Sequence, residues 1–131
     1  VDSTQKFGIL LGLLRAQQSE SSGKVLVFTR TKHRAKKLAQ QLAHSGIAAT
    51  SLQGNLSQNQ RQAAMDGFRS GRVRVLVATD IAARGIDGSQ ITHVINYDLP
   101  DTSEAYTHRT GRIQEILDNQ KIISKAHFFY D

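Results

Sequence analysis

Between residues 79 and 87 the chain sets out a hydroxyl, a guanidinium, a glycine and a carboxylate: Thr79, Arg84, Gly85 and Asp87 of Thr-Asp-Ile-Ala-Ala-Arg-Gly-Ile-Asp. Arginine offers a planar fork of donors that matches phosphate oxygens. Aspartate accepts hydrogen bonds from a diol, and glycine lets a backbone come close to a ligand. Such a set is suited to phosphates and sugar hydroxyls. Three further clusters have a similar make-up: Thr29-Arg30-Thr31-Lys32, Gln58 with Arg61, and His108-Arg109-Thr110-Gly111-Arg112. The Gly23-Lys24 pair invites a P-loop reading. No glycine stands five residues before Gly23, and Val25 occupies the place of the required Ser or Thr, so that reading is rejected.

These residues need a scaffold that gathers them, and the apolar pattern supplies one. Val75-Leu76-Val77-Ala78 and Lys24-Val25-Leu26-Val27-Phe28 are short apolar runs that stop abruptly at polar residues, as expected of strands buried on both faces of a parallel sheet. Ile47 to Leu52 and Ile91 to Tyr97 read as further strands, and Ile122 to Tyr130 as a last one. Between them lie helical patterns. Phe7, Leu10, Leu11 and Leu14 mark a helix over 3–17. Ala35, Leu38, Ala39 and Leu42 mark a second one, with Lys32, Arg34, Lys36 and Lys37 read as its solvated basic face. Ser57 with Gln60 forms a capping box for a third, running to about Phe68 and closed by Ser70-Gly71. A short helix is expected through Tyr106 and His108. Strands alternating with helices imply βαβ units, whose right-handed crossovers bring the carboxyl ends of the strands to one edge. Open α/β sheets bind ligands there, and the clusters at 29–32, 53–55, 79–80 and 98 all follow strands.

Composition narrows the class. Lys and Arg number 17 against 11 acids, for a net charge of +6, which favours a polyanionic partner, although a merely basic soluble surface has the same balance. Cysteine is absent, which excludes disulfides and thiolate metal sites. The histidines at 33, 44, 93 and 127 show no metal-ligand spacing. No apolar run approaches the roughly 18 residues that span a bilayer, and no signal peptide is evident, so a cytoplasmic protein without membrane contact is expected. With 131 residues, a single domain over 1–131 is expected.

In order along the chain, these motifs resemble those of the second RecA-like domain of a DEAD-box ATP-dependent RNA helicase of bacterial type. Val27 to Lys32 resembles the family's motif IV, Gln58-Asn59-Gln60-Arg61 its Q-x-x-R element, Ala78 to Asp87 its motif V, His108 to Arg112 the first part of motif VI, and Asn96-Tyr97-Asp98-Leu99-Pro100 its linking segment. The resemblance implies a RecA-like three-layer α/β sandwich with a mostly parallel central sheet. It implies RNA-backbone contacts from Thr31, Gln58, Arg61, Thr79 and Gly85, with Thr31 also open to a role as helix cap. It makes Asp87 a partner of the ATP ribose and sets Arg84 and Arg112 against the nucleotide phosphates as catalytic groups. His108 and Arg109 would couple nucleotide state to RNA, with a buried structural role the alternative for His108. Backbone contacts carry no base identity, so little sequence preference and a strong salt dependence are expected. A receiver-like domain using Asp80 as phosphoacceptor is disfavoured, because Thr29-Arg30 stands where an acidic pair is required.

Two departures accompany the resemblance. The chain has no Walker A sequence, DEAD tetrapeptide or Ser-Ala-Thr motif. ATP with magnesium would therefore be completed by the N-terminal RecA-like domain, which holds the metal, and the chain alone is expected to be an inactive monomer. After Arg112 the family continues with a small residue, a glycine and an arginine finger, whereas here the run is Ile113-Gln114-Glu115. A carboxylate where that guanidinium belongs predicts poor hydrolysis and opens the alternative of a non-catalytic RNA-binding or scaffold domain.

Overall fold

The computed structural model describes residues 3–18, 24–52, 56–79, 91–98 and 125–128. In chain order these form α1 (Ser3–Gln18), β1 (Lys24–Phe28), α2 (Lys32–His44), β2 (Ala49–Leu52), α3 (Gln58–Ser70), β3 (Val75–Ala78), β4 (Ile91–Asn96) and β5 (Lys125–Phe128). The strands make one sheet of order β2-β3-β1-β4-β5, and every neighbouring pair is parallel. The short helix expected through Tyr106 and His108 lies outside the described residues.

Strand composition follows position in the sheet. The inner strands β1 and β3 are apolar almost throughout because both faces are covered. The edge strand β2 is Ala-Thr-Ser-Leu and only half-buried until Leu52. Val25, Val27, Val75, Val77, Ile95 and Tyr97 pack with Leu10 and Leu14 of α1 and Ala35, Leu38, Ala39 and Leu42 of α2. Leu26, Phe28, Leu52, Leu76, Ala78, Ile91 and Val94 pack with Phe68 of α3 on the other face. The result is the expected three-layer α/β sandwich. Ile91 and Val94, three apart, share a face because the register of β4 against β1 slips between Lys24 and Val25, and such a bulge inverts the alternation.

Element ends also have local causes. Thr31 caps α2 by accepting a hydrogen bond from the Arg34 N–H at 3.2 Å. The capping box at α3 is complete, with the Gln60 N–H donating to Ser57 Oγ at 3.1 Å and the Ser57 N–H donating to Gln60 Oε1 at 3.0 Å. Gly71 ends that helix at φ 86°, a left-handed conformation that suits glycine. The strand expected from Ile47 begins at Ala49 instead, because the Ile47 N–H donates to Leu42 O at 3.0 Å and closes the end of α2.

Candidate functional site

The order β2-β3-β1 puts three of the sequence-derived clusters on neighbouring strand ends. Leu52 pairs with Ala78, which pairs in turn with Phe28, so β2, β3 and β1 end side by side; the 53–55 cluster and Asp80 lie outside the described residues. Thr79 follows β3 and is half-buried, whereas Thr31, at the head of α2, is exposed. Gln58 is exposed and Arg61 half-buried in the first turn of α3. Both helices start at this edge, so the unpaired N–H groups of their first turns and the positive ends of their dipoles lie there too. Arg84, Gly85, Asp87, His108, Arg109 and Arg112 lie outside the described residues. Arg30 and Lys32 are exposed.

Hydrogen bonds beyond the ladders stitch the edge together. The Thr29 N–H donates to Ala78 O at 2.9 Å, and the Tyr97 and Asp98 N–H groups both reach Phe28 O, at 3.0 and 3.3 Å. Thr29 Oγ1 donates to Thr31 O at 3.3 Å. Thr29 is itself buried, so this bond spends a buried hydroxyl on holding the loop in shape.

At the end of β4, Asp98 gathers donors from three segments. Arg34 approaches with both Nε, 2.7 Å from Oδ2, and NH2, 2.6 Å from Oδ1. Lys6 Nζ lies 3.0 Å from Oδ1, and the Arg30 N–H donates to Oδ2 at 3.1 Å. Asp98 and Lys6 are each 2% exposed. Lys6 also lies over the Tyr97 ring, 4.7 Å from its centroid. Burial pushes the Asp98 carboxyl up, but the hydrogen bonds from Arg34, Lys6 and the Arg30 N–H, together with the Lys6 charge, outweigh it and bring the pKa down to about 2. Asp98, Arg34 and Thr29 share the wall of a cavity of about 360 Å³ with Phe7, Lys37, Leu38, Gln41 and Tyr97.

This ion cluster corrects one expectation and adds a residue that sequence reasoning missed. Arg34 was expected on a solvated basic face; it flanks the apolar stripe closely enough to turn inward to Asp98, with 37% of its side chain exposed. Lys6 was not singled out, yet it precedes Leu10 and Leu14 at steps of four and so lies on the buried stripe of α1. A charge on an apolar stripe needs a buried partner, and this spacing was the available signal.

Comparison with known proteins decides the family. Residues 5–116 match the model of the helicase conserved C-terminal domain. The chain is 34% identical to the Escherichia coli DEAD-box protein SrmB, solved bound to regulator of ribonuclease activity A, and superposes with a TM-score of 0.79 over 98% of this chain and 72% of that one. It belongs to the DEAD-box helicases, as a conserved C-terminal domain. This helicase domain is also 46% identical over 112 residues to the DEAD-box ATP-dependent RNA helicase CshA of Geobacillus kaustophilus, covering 86% of this chain and 23% of the relative. It thus spans about a fifth to a quarter of that helicase's length. Dbp5 of S. cerevisiae, solved bound to RNA and ADP BeF3, is 30% identical with a TM-score of 0.74, over 96% of this chain and 32% of that one. The RecA-like architecture expected from the motifs is thus the observed one. Among the described residues, no helix is long and apolar enough to cross a membrane.

Proposed function

We propose that this helicase domain is half of a cytoplasmic ATP-dependent RNA helicase, gripping RNA by its backbone and completing an ATP site with an N-terminal RecA-like domain. The observation that carries the reading is the shared edge: Thr31, Gln58, Arg61 and Thr79 follow three adjacent parallel strands, and two helix N-termini open beside them. Consecutive phosphates could then meet a hydroxyl, an amide, a guanidinium and main-chain N–H donors in turn, a set that reads shape and charge rather than base. The RNA and ADP BeF3 bound to the related Dbp5 fit this assignment. Gly85 completes the RNA contacts, Asp87 takes the ribose hydroxyls, Arg84 and Arg112 take the nucleotide phosphates, and His108 with Arg109 links the two.

Magnesium falls to the N-terminal domain. Asp98, the one acid described on this edge, has its carboxylate occupied by Arg34, Lys6 and the Arg30 N–H, and it has no place for a metal. ATP and magnesium together would supply the transferable phosphoryl group and its charge neutralisation, while this domain's residues hold and orient. The domain works as a monomer joined to its first half, and closure of the two assembles the site.

Two measurements test this. Arg61→Ala should weaken binding of single-stranded RNA by about tenfold for any sequence and lower the salt slope by about one, the signature of a lost phosphate contact; unchanged affinity would overturn the RNA assignment. The chain alone should turn over no ATP above background. Joined to a DEAD-bearing first domain, it should hydrolyse slowly and gain rate on Glu115→Arg, by about a hundredfold or more if the guanidinium acts as the finger. No turnover in either joined form would instead leave the non-catalytic RNA-binding reading.

A further inference from the structure

We propose that Asp98 is a positioning residue for the RNA grip: its carboxylate fixes the backbone that presents Thr31 and ties it to the strand end from which the chain runs on to His108, Arg109 and Arg112. The proposal rests on the assignment of Thr31 to RNA and goes beyond it, since the family resemblance assigns Asp98 no role.

The geometry is that of a clamp. Stability alone would be served by one cation beside the buried acid, yet Asp98 takes a two-point contact from Arg34 and a main-chain N–H as well. A two-point contact between planar groups fixes orientation as well as distance. The main-chain donor belongs to Arg30, the residue just before Thr31, and its bond of 3.1 Å fixes the plane of the peptide joining Thr29 to Arg30, at the start of the turn that presents Thr31. From the other side Thr29 Oγ1 holds the Thr31 carbonyl at 3.3 Å. Thr31 is thereby kept extended, at φ −130° and ψ 157°, with Oγ1 accepting from the Arg34 N–H. The hydroxyl has one proton to donate, and with Oγ1 already used as an acceptor that proton suits a phosphate oxygen. Arg34 contributes twice: its N–H anchors Thr31, and its side chain anchors Asp98.

Electrostatics makes the proposal distinguishable from a merely structural role. Asp98 is a negative charge on an edge that receives a polyanion, so removing that charge should strengthen RNA binding if charge were all that mattered. Loss of positioning does the opposite. Lys6 is a control: it is as buried as Asp98 and pairs with Oδ1, whereas the main-chain bond from Arg30 goes to Oδ2.

The test is affinity for a fluorescein-labelled decauridylate, measured by anisotropy with the 131-residue chain over a range of salt. Asp98→Asn should weaken binding about fivefold while leaving the salt slope unchanged, since no phosphate-contacting cation is removed. Thr31→Val should weaken it comparably, Thr31→Ser should restore it, and Lys6→Met should remain within about twofold of the parent. Asp98→Asn binding as tightly as the parent, or more tightly, while Thr31→Val binds weakly would overturn the positioning role and leave the RNA assignment intact. Unchanged binding by Thr31→Val would remove the assignment and the clamp together. Should Asp98→Asn fail to fold, Arg34→Lys retains the charge and loses the fork; a loss of about threefold supports the clamp, and parental affinity overturns it.

Discussion

The two edges of the sheet each bury the stem of a lysine, and they treat it differently. At the carboxyl edge, Lys6 is fully buried against the Tyr97 ring and pairs with Asp98, which also takes Arg34. At the amino edge, Lys24 is half-buried near the Phe68 ring, 5.8 Å from its centroid, and donates to the carbonyl of Arg69. Nearby in the sheet, Arg74 has two buried nitrogens, Nε and NH1, without hydrogen-bond partners, and burial lowers the pKa of both cations. One edge concentrates donors on a directional acceptor. The other gives Lys24 a main-chain carbonyl and leaves two Arg74 nitrogens without a hydrogen-bond partner. A residue type therefore says little about function here until its partner is known.

Substitutions at the two edges should differ in effect, from several kcal/mol to almost none. Asp98→Ala leaves the Lys6 ammonium buried without its carboxylate and should cost about 3 to 5 kcal/mol of unfolding free energy in urea titrations. Acid acts on the same group. The Asp98 pKa is depressed to about 2 in the fold, so its contribution is complete above about pH 4 and drains away as the pH falls towards 2, about 2 kcal/mol in all. Urea midpoints between pH 2 and 5 should show this slope in the parent and a shallower one in Asp98→Ala. Ser57→Ala, which opens the capping box of α3, should cost about 1 kcal/mol. At the amino edge, Lys24→Met should shift stability by no more than about 0.5 kcal/mol, and Arg74→Met should be neutral or stabilising because two unpaired buried donors disappear. A loss above about 2 kcal/mol at Arg74 would mean that the amino edge, too, depends on its charges.

The sequence carried the sheet well. Continuous apolar runs of four residues marked β1 and β3, and their abrupt polar ends located the edge where Thr31 and Thr79 emerge. Cap chemistry was equally readable, since Thr31, Ser57 with Gln60, and Gly71 act within a few residues of themselves. The start of β2 was misjudged by two residues because Ile47 is apolar and buried like a strand residue while its N–H serves α2. The ion cluster was harder to see for another reason: Lys6 and Asp98 stand 92 residues apart, and no local pattern joins them. Arg34 was read from helical periodicity alone, which cannot tell a flank that faces water from one that faces a buried acid. The motifs placed Gln58 and Arg61 correctly in the first turn of α3, where a spacing of three sets both on neighbouring positions of one face.

The strand order has one more consequence, for how the chain reaches its native state. No two strands adjacent in the sheet are joined by a tight hairpin: β1 waits for Val75 to pair with Val25 and for Val94 to pair with Leu26. Such distant pairings give a high contact order and a folding rate in the slow part of the range for a chain of this size. Residue 98 leaves the ribosome after every strand but β5, so the clamp at Asp98 can close only once most of the sheet has been synthesised. The loop presenting Thr31 would then be among the last parts of the edge to acquire its final shape.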